Sequence, residues 1–61
     1  MYRILAQAIT GKFVPDGGVY EEFDNLCVAR MTAWNRTMYE DSITRRVVDQ
    51  RDNVLSEVAS T

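Results

Sequence analysis

The sequence predicts an α+β protein in which one α-helix packs on a three- to four-stranded antiparallel sheet, in the order β-(β)-α-β-β. The middle of the chain has a helical pattern without glycine or proline, and residues 43–58 are rich in β-branched residues on both sides of an Arg-Asp-Asn turn. With 61 residues, the chain has room for one domain, residues 1–61, and for a thin hydrophobic core.

The first part of the chain predicts two strands and two turns. Residues 2–9 carry apolar side chains on both alternating faces, which is typical of a central strand. Residues 10–12 predict a turn, and residues 13–14 continue the sheet until Pro15, which lacks a backbone donor and ends the strand. Residues 16–18 predict a second turn, because their two glycines adopt positive φ at little cost.

Residues 19–23 fit two structures. Their alternating polarity is that of a short strand, but the same residues also fit the first turn of the following helix. The strand is favoured, because Asp24 and Asn25 are good N-cap residues directly before Leu26.

The helix is predicted from about Asn25 to Met38 or Tyr39, since its alanines favour helix and nothing interrupts it. Glu40 and Asp41 are expected beyond its end, because acidic side chains oppose the negative end of the helix dipole.

A β-hairpin is predicted from residues 43–49 and 54–58. The turn falls at residues 51–53, because Asp and Asn tolerate the left-handed conformations that tight turns need. Arg45 and Arg46 are adjacent on the first strand of the hairpin, so they point to opposite faces and form no joint basic patch.

The helix has more apolar surface than so small a domain can cover. At 100° per residue, one face, here named the Trp34 stripe, consists of Cys27, Met31, Trp34 and Met38. Val28 and Tyr39 lie roughly opposite Leu26 and away from this stripe. Apolar surface that the sheet leaves uncovered is expected to contact a second copy or another protein.

The sequence leaves open which helix face meets the sheet. If the Trp34 stripe packs there, Trp34 is a core residue and the outer candidates for binding are Val28, Asn35 and Tyr39. If Leu26, Ala29 and Ala33 pack there instead, their small side chains allow close approach and the stripe is exposed. Trp34 and Met38 then become anchors for a partner.

No catalytic, metal-binding or cofactor motif occurs in the sequence. It contains no histidine and a single cysteine, Cys27, which excludes a disulfide within the chain and a zinc site. Cys27 lies on the apolar side of the helix and is expected to be a small buried residue, not a reactive thiol. The sequence therefore predicts a protein that is not an enzyme and that binds no cofactor or metal.

The charged residues give two weaker predictions. An acidic cluster before the helix is either a solvated loop or a docking surface for a basic partner, and it consists of Asp16, Glu21, Glu22 and Asp24. The net charge of −2 is too balanced to indicate a nucleic-acid partner. A small nucleic-acid-binding accessory protein is the alternative function, through Arg3, Arg45 and Arg46.

The absence of catalytic residues and the surplus apolar helix surface predict a protein-interaction module that forms a homodimer through the helix. No apolar run is long enough for a signal peptide or a membrane span, and a lone cysteine fits a reducing compartment, so the cytoplasm is the expected location. The candidate protein-binding residues are Tyr20, Val28, Trp34, Asn35, Met38 and Tyr39.

Two segments, residues 23–26 (FDNL) and 46–55 (RVVDQRDNVL), are similar to elements of short open reading frames in bacteria and their phages. The resemblance implies a phage-type or bacterial accessory inhibitor, which binds a host protein and blocks or modulates it. Such a protein acts by occlusion or allosteric inhibition and not by turnover.

Overall fold

A computed structural model describes residues 1–18 and 21–60 of the chain. Its elements in chain order are β1 (Tyr2–Gln7), β2 (Phe13–Pro15), β3 (Glu22–Phe23), α1 (Leu26–Arg36), β4 (Arg45–Val48) and β5 (Val54–Val58). The five strands form one antiparallel sheet, in which β3 has only two residues, and α1 packs on one of its faces. The predicted fold class is therefore confirmed.

β1 is the central strand of the sheet, as its two partly apolar faces predict. It pairs with β4 along one edge, while β2 and β3 share the other edge, each beside one half of β1. β4 and β5 form the predicted hairpin, with Arg45 opposite Val58 and Val47 opposite Ser56. The path through the described strands is β2-β1-β4-β5, so β5 is an edge strand.

The first strand is shorter than predicted. β1 ends at Gln7 and not at Ile9, because Ala8 already belongs to the turn. The backbone N–H of Ala8 donates to the carbonyl of Lys12, and its carbonyl accepts from the N–H of Gly11, both at 2.8 Å. Gly11 has a φ of 90°, which glycine adopts without strain.

The strand interpretation of residues 19–23 is confirmed at its described end, where β3 pairs with the start of β1. Residues 19 and 20 lie outside the described residues. Asn25 is the N-cap of α1, because its side-chain oxygen accepts hydrogen bonds from the backbone N–H groups of Cys27 and Val28 at 2.8 and 3.2 Å.

The C-terminal end of the helix differs from the prediction. Thr37–Asp41 continues α1 as one π-helical turn, and Ser42 ends it in the left-handed conformation with a φ of 62°. Glu40 and Asp41 thus lie inside the helix and not beyond it. For Asp41 the physical reason is a tertiary contact, because Arg45 donates two hydrogen bonds of 2.7 Å to its carboxylate and offsets the unfavourable dipole.

The helix meets the sheet through small residues. Ala29 and Ala33, one turn apart on α1, are buried against Ile4 and Val47 of the sheet, and the partly buried Leu26 packs beside them. Small side chains let the helix backbone approach the sheet closely. The second of the two predicted arrangements is therefore the one that forms.

Candidate protein-interaction surface

Because α1 turns its alanines towards the sheet, the Trp34 stripe lies at the surface. Met31 is 65% exposed, Trp34 is 45% exposed, and Met38 is also exposed. Cys27 is exposed as well, so the prediction of a buried thiol is wrong, because it assumed that this side of the helix faces the core. Residues at this helical spacing are neighbours, so the stripe forms an apolar strip along one side of the helix.

A groove of about 670 Å³ separates the Trp34 stripe from the edge of the sheet. Met31 and Trp34 contribute to its helix wall, and Ser56 and Val58 of β5 contribute to the opposite wall. The groove exists because α1 lies mainly over β1 and β4 and contacts β5 less. Both the stripe and one side of β5 are therefore open to a partner.

The edge strand β5 is irregular. Val47 lies opposite Ser56, but Val48 lies opposite Val54, so Leu55 is an extra residue that forms a β-bulge. Bulges at a sheet edge discourage pairing with a strand of another chain. The helix wall of the groove is therefore a better contact surface than the strand edge.

The π-helical turn changes the position of Tyr39. An α-helical projection places Tyr39 away from the Trp34 stripe, and this prediction is wrong. The wider turn brings the Tyr39 ring against the Trp34 ring, with centroids 5.5 Å apart and planes at 76°, an edge-to-face contact. Tyr39 is itself well exposed, so it extends the aromatic surface beside the stripe.

The structure gathers most of the candidate binding residues on one helix. Val28 and Asn35 are exposed on the outer side of α1. With Trp34, Met38 and Tyr39 they form one solvent-facing surface, while the candidate Tyr20 lies outside the described residues.

A network of ion pairs, here named the Arg45 cluster, consists of Asp16, Arg36, Asp41 and Arg45. The Arg45 side chain is 4% exposed; its Nε donates to Asp16 at 3.1 Å, and its two Nη atoms donate to Asp41. Arg36 donates to the same oxygen of Asp16 at 2.8 Å. The cluster ties β4 and the helix end to the turn after β2, and its charges neutralise one another.

The pairing shifts the ionisation of these groups. Hydrogen bonds from Arg45 lower the pKa of Asp41 from 3.8 to about 2. Hydrogen bonds to Asp41 raise the pKa of Arg45. Burial lowers the pKa of Arg36, but hydrogen bonds to Asp16 and Glu21 outweigh burial and raise it. These shifts hold the charged forms at neutral pH, which suits a structural role and not proton transfer.

The acidic cluster is divided in the structure. Asp16 belongs to the Arg45 cluster, and Glu21 pairs with Arg36 at 3.2 Å. Glu22 and Asp24 remain exposed. A docking surface for a basic partner is thereby reduced to these two carboxylates.

The three arginines of the nucleic-acid alternative are divided between the two faces of the sheet. Arg45 is buried below the helix, whereas Arg46 points to the opposite face of the sheet. There Arg46 pairs with Glu57, and its guanidinium lies 3.8 Å from the centre of the Phe13 ring. Arg3 pairs with an aspartate of the hairpin turn at 3.5 Å. Arg3 and Arg46 share this face by strand register, but each pairs with a carboxylate, so little net positive charge remains to bind a phosphate backbone.

Two features escape sequence reasoning. The first is the burial of Arg45, which the sequence analysis places at the surface. Its spacing of four residues from Asp41, at a chain reversal, does indicate an ion pair. The second is the groove beside β5, which the sequence indicates more weakly. The indication is the small Ser56, which faces a helix that packs on the sheet through alanines.

No helix of the described residues is long and apolar enough to cross a membrane. The chain matches no protein-family model, no curated protein and no solved structure.

Proposed function

We propose that this protein is a non-catalytic interaction module that binds another protein through the exposed side of α1 and so blocks or modulates it. The observation that supports this proposal is the exposure of the Trp34 stripe, which holds the largest apolar side chains of the helix. Contiguous apolar surface on a small protein is typical of a contact site.

The composition of the surface fits protein recognition. Tryptophan and tyrosine are enriched among the residues that dominate binding energy, and methionine adapts to irregular partner surfaces. Trp34 and Tyr39 are therefore the proposed anchors, Met31 and Met38 fill the space around them, and Asn35 supplies a polar rim.

The proposed setting is the cytoplasm, with a host protein as the target, as the resemblance to short bacterial and phage reading frames implies. The exposed free thiol of Cys27 fits a reducing compartment. We further propose that the protein works as a homodimer, because a domain this small gains stability from a second subunit.

Site-specific photo-crosslinking in cells of the source organism tests the proposal. The photoreactive residue p-benzoylphenylalanine replaces Tyr39, which keeps an aromatic ring at the contact surface. The matched control carries it at Ile9, a fully exposed residue of the turn between β1 and β2. We expect a covalent adduct with a distinct second protein from position 39 and none from position 9.

A second substitution makes the experiment specific to the surface. Adding Trp34→Ala to the photoreactive chain is expected to lower the adduct yield at least about tenfold, since central tryptophans are binding hot spots. Equal adducts from both positions, or adducts with further copies of the chain alone, would contradict the proposed function.

A further inference from the structure

The groove between α1 and β5 lies where a second helix would pack on the same face of the sheet. α1 lies mainly over β1 and β4, and neighbouring strands are about 4.8 Å apart. Packed helices have their axes about 8–10 Å apart, so the next helix beside α1 would lie over β5 and its outer edge. The groove of about 670 Å³ lies at this place, and no α-helix of residues 1–18 and 21–60 fills it.

We propose that this groove binds an amphipathic α-helix of another protein. The apolar side of that helix lies between α1 and β5, and a carboxylate beside its apolar side pairs with Arg30. The inference rests on the proposed function, because it names the kind of segment that the interaction module recognises. Trp34 serves both contacts, since it belongs to the exposed side of α1 and also lines the groove.

The side chains of α1 that line the groove point sideways from the helix. In helical projection, Arg30 and Trp34 lie about 70° and 110° from the mean direction of the residues that pack on the sheet. Both are on the side of β5, whereas Arg36 lies on the other side, where it pairs with Asp16. A helix over β5 therefore contacts this side of α1 as well as the sheet.

The lining of the groove is mostly apolar. Met31 and Trp34 line it from the helix, and Val47 and Val58 line it from the sheet. Ser56, also on the sheet side, is small, so a second helix can approach the sheet closely, as α1 does through its alanines. Helix-in-groove recognition uses such a lining, because apolar residues three and four positions apart on the bound helix fill it.

The charge of the groove favours an acidic residue on the partner. The described lining contains two arginines and one glutamate. Arg45 is neutralised within the Arg45 cluster, and Glu57 is paired with Arg46. Arg30 is exposed and, among the described residues, donates to no carboxylate. One uncompensated guanidinium therefore lies beside apolar surface, and a carboxylate matches its geometry.

The shape of the groove favours a helix over other occupants. An added strand would pair with the edge of β5, which the bulge at Leu55 distorts. A small amphiphilic acid binds best in a cavity that encloses most of its surface, whereas this groove is open to water along one side. A single helix forms a small interface of the transient class, so we expect a dissociation constant of about 10–100 µM.

A peptide library supplies the probe. Random peptides without cysteine or tryptophan, about 16 residues or about 24 Å of helix in length, are selected for binding to the whole reduced chain. We expect the enriched peptides to carry apolar residues three and four positions apart, with an aspartate or glutamate beside them. Synthetic copies of these peptides are expected to gain helical circular dichroism when they bind.

Thiol labelling shows whether a selected peptide lies between the two sides of the groove. The single cysteine, Cys27, lines the helix side, and combining Cys27→Ser with Ser56→Cys moves the thiol to the sheet side. With peptide at about ten times its dissociation constant, labelling of either thiol is expected to slow about tenfold, because about one chain in eleven remains free. The control combines Cys27→Ser with Ile9→Cys and is expected to keep its labelling rate.

Charge reversal at Arg30 tests the acidic contact. Arg30→Glu keeps a good helix former at an exposed position and is expected to raise the dissociation constant of an acidic selected peptide at least about tenfold. Replacing the acid of the peptide by lysine should restore the affinity for this variant. Lys12→Glu makes the same change of charge in the turn between β1 and β2, and it should change the affinity less than about twofold, because salt screens distant charges. The emission of Trp34, the single tryptophan, follows each titration.

Four results would overturn the inference. No selected peptide protects both sides of the groove; the bound peptides are extended and not helical; Arg30→Glu weakens binding no more than Lys12→Glu; or Cys27 is protected at high chain concentration without peptide, which would mean that a second copy fills the groove. If the groove fails in this way but Tyr39 still gives the adduct with a second protein, the proposed function remains intact. Protection of both sides without that adduct would count against the outer surface and not against the groove.

Discussion

Replacing Arg45 by methionine tests whether the Arg45 cluster holds the fold together. Methionine is apolar and fits much of the same space, but it removes the charge between Asp16 and Asp41. Breaking a buried ion pair costs about 3–5 kcal/mol, because it leaves an uncompensated charge. Here the loss is smaller, since Arg36 stays 2.8 Å from Asp16 and the Asp41 side chain is 39% exposed to water.

We therefore expect Arg45→Met to lower the free energy of unfolding by about 2–3 kcal/mol. A domain of this size has about 3–9 kcal/mol in total, so the variant retains a folded state with little margin. Urea unfolding at pH 7, followed by far-UV circular dichroism and by Trp34 fluorescence, gives the value.

The neighbouring arginine supplies a matched control. Arg46→Met makes the same substitution one residue further along β4, where the side chain is 37% exposed and pairs with Glu57. The exposed pair contributes about 0–1 kcal/mol and the contact with the Phe13 ring about 0.5–1 kcal/mol, so the control loses less than the Arg45 variant. Equal losses for the two variants would refute the reasoning. Adding Asp16→Asn to Arg45→Met should recover part of the lost stability. Asp16 has then lost one of its two arginine partners, and the neutral amide does not need that charge.

Three other predictions concern stability. The pKa of Asp41 in the folded state is about 2, below its ordinary 3.8, so the stability it contributes is present above pH 3.8 and is lost as the pH falls towards 2. Acid titration should show that the free energy of unfolding falls by about 1 kcal/mol over that window, because water screens the exposed Asp41. Asp41→Asn should remove this dependence on pH. Ser42→Gly should stabilise the protein by about 0.5–1 kcal/mol in thermal unfolding, because glycine adopts the left-handed conformation at residue 42 without strain. Val47→Ala should cost about 1–3 kcal/mol and Met31→Ala, at a residue that is 65% exposed, should cost less, and the opposite order in urea titrations would mean that the stripe is part of the core.

Local chemistry predicts most of the fold. Asn25 begins the helix because its side chain satisfies free backbone N–H groups, Gly11 supplies the positive φ in the turn between β1 and β2, and Pro15 is the last residue of β2. The hairpin follows from β-branched residues around a turn of Asp and Asn. Each of these signals acts within a few residues, so the sequence is sufficient to locate them.

The buried helix face is not a local property. Hydrophobicity alone favours placing Trp34 in the core, but Ala29 and Ala33 allow the backbone to lie closer to the sheet. Arg45 shows the same limit in the candidate site. The sequence predicts an exposed cation at this position, because the partner Asp16 is 29 residues earlier in the chain and contacts Arg45 only in the folded protein.

In α1, alanines pack against the sheet, whereas the large side chains that face water belong to other residues of the same helix. A lineage can therefore alter Val28, Trp34 or Asn35 without disturbing the interior that those alanines fill. The exposed side of the helix and the buried interior can therefore change at different rates during evolution. Related proteins with this topology should keep small residues at positions 29 and 33 and differ most along the outward side of the helix.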